Sequence, residues 1–168
     1  MGGASSAGCE RGRAVTVTMF TDALRFVGQV MEIKGSEHQP FIQWCFSLCG
    51  YGPETPDETP WCSAFVNELA WRLRLPRSKS AAARSWLNVG RPISLSEARA
   101  ENDVVVFKRG GAGQPGPEVT KGAPGHVAVF AGFEAPWENV QVIGGNQADG
   151  VTVASFPVDR VLGVRRLD

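Results

Sequence analysis

Thr59-Pro60-Trp61-Cys62-Ser63-Ala64-Phe65-Val66-Asn67 puts a cysteine in the first turn of an expected helix. Thr59 suits the N-cap, and Pro60 suits the first helical position, where its missing N–H costs nothing. Cys62 then sits among free backbone N–H groups at the positive end of the helix dipole, a setting that favours a thiolate. Phe65, Val66, Leu69 and Leu73 fall on one face, so the helix is expected over about Pro60 to Leu75, stopping at Pro76. Two later fragments carry complementary chemistry. Gly125-His126-Val127-Ala128-Val129-Phe130 opens a strand with one of only two histidines in the chain, and Gly144-Gly145-Asn146-Gln147 follows a short apolar run.

Outward from these fragments, the period of the chain changes. Asp22 to Ile33, Phe41 to Cys49 and Ala81 to Val89 read as helices, the last ending at Gly90. Tyr51 to Pro60, with three prolines, reads as the loop that leads into the cysteine helix. Asp103 to Phe107, His126 to Phe130, Val140 to Ile143, Val151 to Ser155 and Val161 to Arg165 are β-branched or aromatic runs bounded by turn residues. Helices followed by a meander give an α+β class, with N-terminal helices packed on an antiparallel sheet of about five strands. Arg109 to Gly125 has six glycines and three prolines and reads as a mobile loop beside the site. Residues 1–18 lack an apolar pattern and are expected to be a disordered tail, leaving 19–168 as a single domain.

Composition narrows the class further. The 168 residues are 43 % hydrophobic, enough for one core without disulfide staples. Seventeen basic and seventeen acidic side chains balance, so no global field points to nucleic acid or to an anionic membrane. Of the cysteines Cys9, Cys45, Cys49 and Cys62, the pair Cys45 and Cys49 lies at helical spacing. That spacing disfavours a bridge, and it lacks the second close ligand pair of a zinc site. Reduced cysteines and no metal are expected. Met1 to Ala14 holds no apolar signal core, and Ala7-Gly8-Cys9 lacks the hydrophobic segment of a lipoprotein box. No apolar run reaches the length of a membrane span, so no membrane insertion is expected.

Thiol hydrolysis needs an ionisable nucleophile, a base, and a group that fixes the base's tautomer. Cys62, His126 and Asn146 supply these types, in that chain order. Gly125 lets a substrate backbone approach, and the Cys62 N–H is a natural oxyanion donor. The blocks Pro60 to Asn67, Ser80-Ala81-Ala82-Ala83-Arg84-Ser85-Trp86-Leu87, Asp103 to Phe107, Gly125 to Ala128 and Gly144 to Gln147 together resemble the CHAP and NlpC-type superfamily of cysteine peptidases and amidases. The likeness is greatest to its small, phage-associated branch of cell-wall hydrolases, and it extends over about Phe20 to Arg166. It implies a papain-like fold, peptidoglycan as substrate and no cofactor. With no signal core in Met1 to Ala14, delivery to the wall by a holin, a phage tail or baseplate, or a contractile device is expected. The sequence departs from the pattern at Gly144, where many CHAP enzymes carry an acidic residue two positions before the Asn.

Several residues admit plainer readings. Asn146 could serve a turn, and Gln147 could bind substrate or cap that turn. Trp61, a candidate substrate platform, could equally be core, as could Trp86. Cys45 and Cys49 read as core; Asp103 reads as a strand start, and Arg165-Arg166 as a solvated strand end. His38 sits in a polar loop without a matching block. Two rival functions stand beside the wall hydrolase. One is a structural or adaptor protein of a phage tail with a vestigial fold; the other is a papain-like effector acting on protein substrates.

Overall fold

The computed structural model describes residues 16–111, 113–135 and 137–168. The expected tail therefore lies largely outside the described residues. Of its last residues, Thr18 belongs to the domain: its hydroxyl accepts from the Thr21 N–H and caps helix α1, Met19–Leu24. Helices α2, Pro40–Ser47, and α3, Cys62–Arg72, follow, with 3-10 turns at Ala83–Asn88, Leu95–Glu97 and Val158–Arg160. The strands are β1, Arg91–Ile93; β2, Asp103–Lys108; β3, Gly125–Glu134; β4, Asn139–Gln147; β5, Gly150–Pro157; and β6, Val161–Arg166. They form one antiparallel sheet in the order β1-β6-β2-β3-β4-β5. The class is α+β as expected, with six strands rather than about five. The additional strand, β1, is three residues long and contains Pro92, which suits only a sheet edge.

Both faces of the sheet are covered. Val104, Val106, Val127, Val129 and Ile143 face a core shared with the helices. Val105, Phe107, Ala128, Phe130, Val142 and Val164 build a smaller core on the other face, beneath Leu95, Phe133, Phe156 and Val158. This double burial explains why β2 reads as an unbroken apolar run rather than an alternating one. Helix α3 packs on β3 and β4. Among the described residues, no helix is long and apolar enough to cross a membrane.

Three helix expectations are corrected. Asp22 to Ile33 is not one helix. Gly28 takes φ +69°, and its N–H donates to the Val151 carbonyl, while Val30 and Val151 also pair. Val27 lies in the turn after α1, and Val30 and Met31 form a short extended strap along the β5 edge. The cysteine helix begins later and ends earlier than expected, with Trp61 at its N-cap and Leu73 at its C-cap. Arg74 at φ +58° and the bond from the Leu75 N–H to the Ala70 carbonyl close it before Pro76. The expected helix at Ala81 to Val89 is the 3-10 turn Ala83–Asn88.

The Arg109 to Gly125 loop, expected to be mobile, is fastened by one side chain. Arg84 is 1 % exposed. Its guanidinium donates to the carbonyls of Pro115, Gly116, Val119 and Pro124 at 2.9–3.1 Å. A loop of Gly and Pro has few side chains to bury, so its own carbonyls become the anchoring groups. Asp103 and Arg166 form a second fastening, at 2.7–2.8 Å, so Arg166 is not a merely solvated strand end. Arg84→Met keeps the bulk but strips four carbonyls of their donor. It should cost about 2–4 kcal/mol of stability. Thermal unfolding and limited proteolysis check this, with the first new cleavage expected within 115–124.

Candidate active site

Cys62 opens α3 and is 2 % exposed. Trp61 makes no side-chain cap, so Thr59 does not play the expected role, and the first-turn N–H groups have no side-chain acceptor. A helix start left uncapped beside a thiol keeps its donors free for a developing negative charge. Burial alone would push the Cys62 thiol up. The net direction is nevertheless down, because hydrogen bonding and charge attraction from His126, the Val127 backbone N–H and the Arg109 guanidinium together outweigh burial. The other described cysteines move the opposite way. Burial drives Cys45 well up, and it raises Cys49 to about 11. All three are free thiols.

His126 stands at the start of β3, opposite Phe107 on β2. Its ring packs against Phe107 and Phe156, with centroids 6.3 and 5.2 Å away. Its Nε2 lies 2.8 Å from Gln147 Oε1. The Gln147 amide nitrogen is already committed to the Thr152 carbonyl at 2.8 Å, an atom that can only accept. The Gln147 oxygen must therefore face the ring, and His126 Nε2 must carry the proton. Nδ1 is left as the basic nitrogen for Cys62. This is the tautomer that a thiol–imidazole pair needs.

The orienting residue is thus Gln147 and not Asn146, which corrects the sequence expectation by one position. A bulge between Gly144 and Gln147 shifts the register of β4 against β5, and Asn146 takes φ +56° within it. That left-handed residue turns the Gln147 side chain back beneath the histidine. Gly144 makes room for it: a Cβ there would stand 2.7 Å from Gln147 Oε1 and 2.9 Å from the Ala128 Cβ. The absence of an acidic residue at this position follows from that crowding. Asn146 instead bridges two other groups. Its amide donates to Glu32 Oε1 at 3.0 Å, and its oxygen accepts from Arg109 Nη1 at 3.3 Å.

Trp61 is fully buried, and its indole N–H donates to the same Glu32 oxygen at 2.8 Å. It is a core residue and not a substrate platform, and Gly145 lies against its ring. Trp86 is likewise buried, donating to Ser63 Oγ at 2.9 Å. Gly125 does line a cleft of about 320 Å³ together with Cys62, Ala82 and Pro124. A Cβ at Gly125 would reach Arg84 Cγ at 2.9 Å, so this glycine is also required for the Arg84 fastening. A second cleft of about 570 Å³ opens on the other side of His126, over Gln147, Thr152 and Phe156.

Glu32, Arg109, Thr152 and Arg84 escaped the sequence reading. Glu32 was hidden inside an expected helix, and Arg109 carried no signal beyond its place at the end of β2. His38, expected to be without context, lies 3.2 Å from the buried Asp57. With Glu58, these two form the group of described residues whose ligand atoms cluster within 4.8 Å and could hold a metal ion. Asp57 already accepts the Ile33 and Gln39 N–H groups, so its carboxylate ties the loops at 33–39 and 51–60 together without one. Compared with known proteins, the chain matches no family model, and no curated protein matches it.

Two outcomes test this geometry. Iodoacetamide should alkylate Cys62 ahead of Cys45 and Cys49 at neutral pH, as read by peptide mass spectrometry. Because the Cys62 thiol sits below its ordinary value, its alkylation rate should fall only as pH drops through that lowered value; Cys49 should gain rate only towards pH 11. Separately, Gln147→Ala should lower the Cys62 alkylation rate near neutral pH by about tenfold, since an unanchored imidazole shares its proton poorly. Asn146→Ala should lower it less.

Proposed function

We propose that this protein is a papain-like cysteine hydrolase that cuts amide bonds in peptidoglycan, either as an endopeptidase or as an N-acetylmuramoyl-L-alanine amidase. The observation that carries the reading is the Gln147–His126 bond, with its tautomer fixed by Thr152, beside a helix-start thiol held below its ordinary value. A histidine that merely filled a core would not need both its tautomer and its neighbour set in this way. The sequence blocks around Cys62, His126 and Gly144 to Gln147 supply the substrate class by resemblance, and phage-tail or holin delivery belongs to the same reading.

The chemistry follows from the groups present. His126 Nδ1 takes the Cys62 proton, and the thiolate attacks the amide carbonyl. The Cys62 backbone N–H, at the uncapped helix start, donates to the oxyanion. The imidazolium, still hydrogen-bonded to Gln147, gives its proton to the leaving amine, and a thioester remains on Cys62. Water, deprotonated by the same nitrogen, then releases the acid and restores the thiol. Arg109, near both Cys62 and Asn146, adds positive charge on the side where the thiolate and oxyanion form.

The test is digestion of purified sacculi followed by mass spectrometry of the released fragments. Wild type should release new amine and carboxyl ends at one type of linkage. Cys62→Ala should lose this activity by several orders of magnitude while unfolding at nearly the same temperature, because the change removes one sulfur and adds no strain. Intact sacculi after prolonged incubation with folded wild type would reject the wall substrate. Equal release by Cys62→Ala would reject the nucleophile.

A further inference from the structure

We propose that Arg109 and Arg160 form a carboxylate-binding subsite beside the Cys62–His126 pair, so that the amide accepted here carries a free carboxylate on a neighbouring residue. The 570 Å³ cleft next to His126 is lined by these two guanidinium groups and by no acidic side chain. Neither arginine is paired with a carboxylate among the described residues. In a chain whose charges balance overall, two unpaired cations in one cleft form a local field with a direction.

Both side chains are held in place by a few of their donors, and the rest remain open. Arg160 gives Nε and Nη2 to the Lys108 carbonyl at 3.2 and 2.8 Å, and its guanidinium lies 5.5 Å from the centre of the Phe156 ring. Its Nη1 has no acceptor among the described residues. Arg109 gives Nη1 to Asn146, which Glu32 anchors in turn. Its Nε and Nη2 are likewise open. Prepositioned guanidinium groups with unused forks match the planar, two-oxygen geometry of a carboxylate. Arg109 lines both clefts, so it spans the scissile position. Arg160 lines only the cleft beyond His126 and therefore reads a group further along the ligand. The Phe156 ring and the Val153 and Ala154 side chains give that same cleft an apolar wall for the aliphatic part of such a residue. Asn146 acquires a role here: it is a positioning residue for Arg109, not for the imidazole.

The word substrate rests on the hydrolase reading, but the binding can be measured without turnover. Isothermal titration of the Cys62→Ala protein with N-acetyl-L-alanyl-D-glutamate, and with its dicarboxamide, compares one skeleton with and without charge. The diacid should bind at least about tenfold more tightly at low salt. That preference should shrink towards unity in Arg160→Gln and Arg109→Gln on the same background. Equal affinity for the two ligands, or no measurable binding of the diacid, overturns the subsite, and this comparison needs no arginine variant to fold. Sacculus digestion run in parallel separates the two ideas. Hydrolysis without a carboxylate preference removes the subsite alone, whereas a preference without hydrolysis removes the wall-hydrolase reading and leaves the subsite standing.

Discussion

Helix α3 is buried along nine consecutive residues, Cys62 to Ala70, and the polar groups it takes inside need partners there. Ser63 Oγ donates to the Ser80 carbonyl at 2.6 Å and accepts from Trp86. Asn67 donates to the Ser63 and Ser80 carbonyls and accepts the Lys79 N–H at 2.8 Å. These bonds pin residues 78–80 against the helix, and the chain that leaves them, Ala81 to Ala83, walls the cleft in front of Cys62. The next residue is Arg84, which fastens the loop that ends at Gly125 and His126. One buried helix thus fixes Cys62, the cleft wall and His126 through these hydrogen bonds and the short stretches of chain between them. Glu68 is the exception: one carboxylate oxygen has no partner, and burial lifts its pKa to about 7 despite Arg72 beside it.

The opposite end of the site depends on backbone geometry. A regular strand places neighbouring side chains on opposite faces. Gln147 reaches the histidine because the Gly144–Gln147 bulge breaks that alternation and because Asn146 accepts a left-handed conformation, which Asn tolerates better than most residues. Ala148 and Asp149, both at positive φ, then turn the chain within two residues so that Thr152 returns to receive the Gln147 amide. The proton position on His126 is therefore decided by a hairpin turn.

Much of the fold was legible because apolar runs and their punctuation are local signals. Five of the six strands announced themselves through Val-rich runs between Gly, Pro and Asp. The cysteine stood out because it opened an amphipathic segment. β1 was not legible because three residues with a proline carry no periodic signal. The strap after α1 was misread because apolar residues spaced three apart can also line a sheet edge once a glycine turns the chain. Cys62 and His126 were legible by residue type and local context. The choice between Asn146 and Gln147 was not, because both are amides in one turn and only a bulge decides which one faces inward.

Arg84 shows why the remaining part of the site was hidden. A segment of six glycines and three prolines has the composition of a flexible tether, and composition is all that the sequence displays there. Its order comes from an arginine more than thirty residues upstream that bonds to carbonyls, groups every residue carries alike. No pattern within the loop can reveal such a partner, since the interaction does not depend on the loop's side chains. The same absence of side chains has a consequence for the site. A loop held through its carbonyls presents little bulk toward the cleft beside Cys62, so that wall is shaped by backbone and by the small residues Ala82, Ala83, Ala123 and Gly125. Charge is then left to Arg109 at its margin. The neutral balance of the whole chain conceals a cleft beside His126 whose two guanidinium groups meet no carboxylate among the described residues.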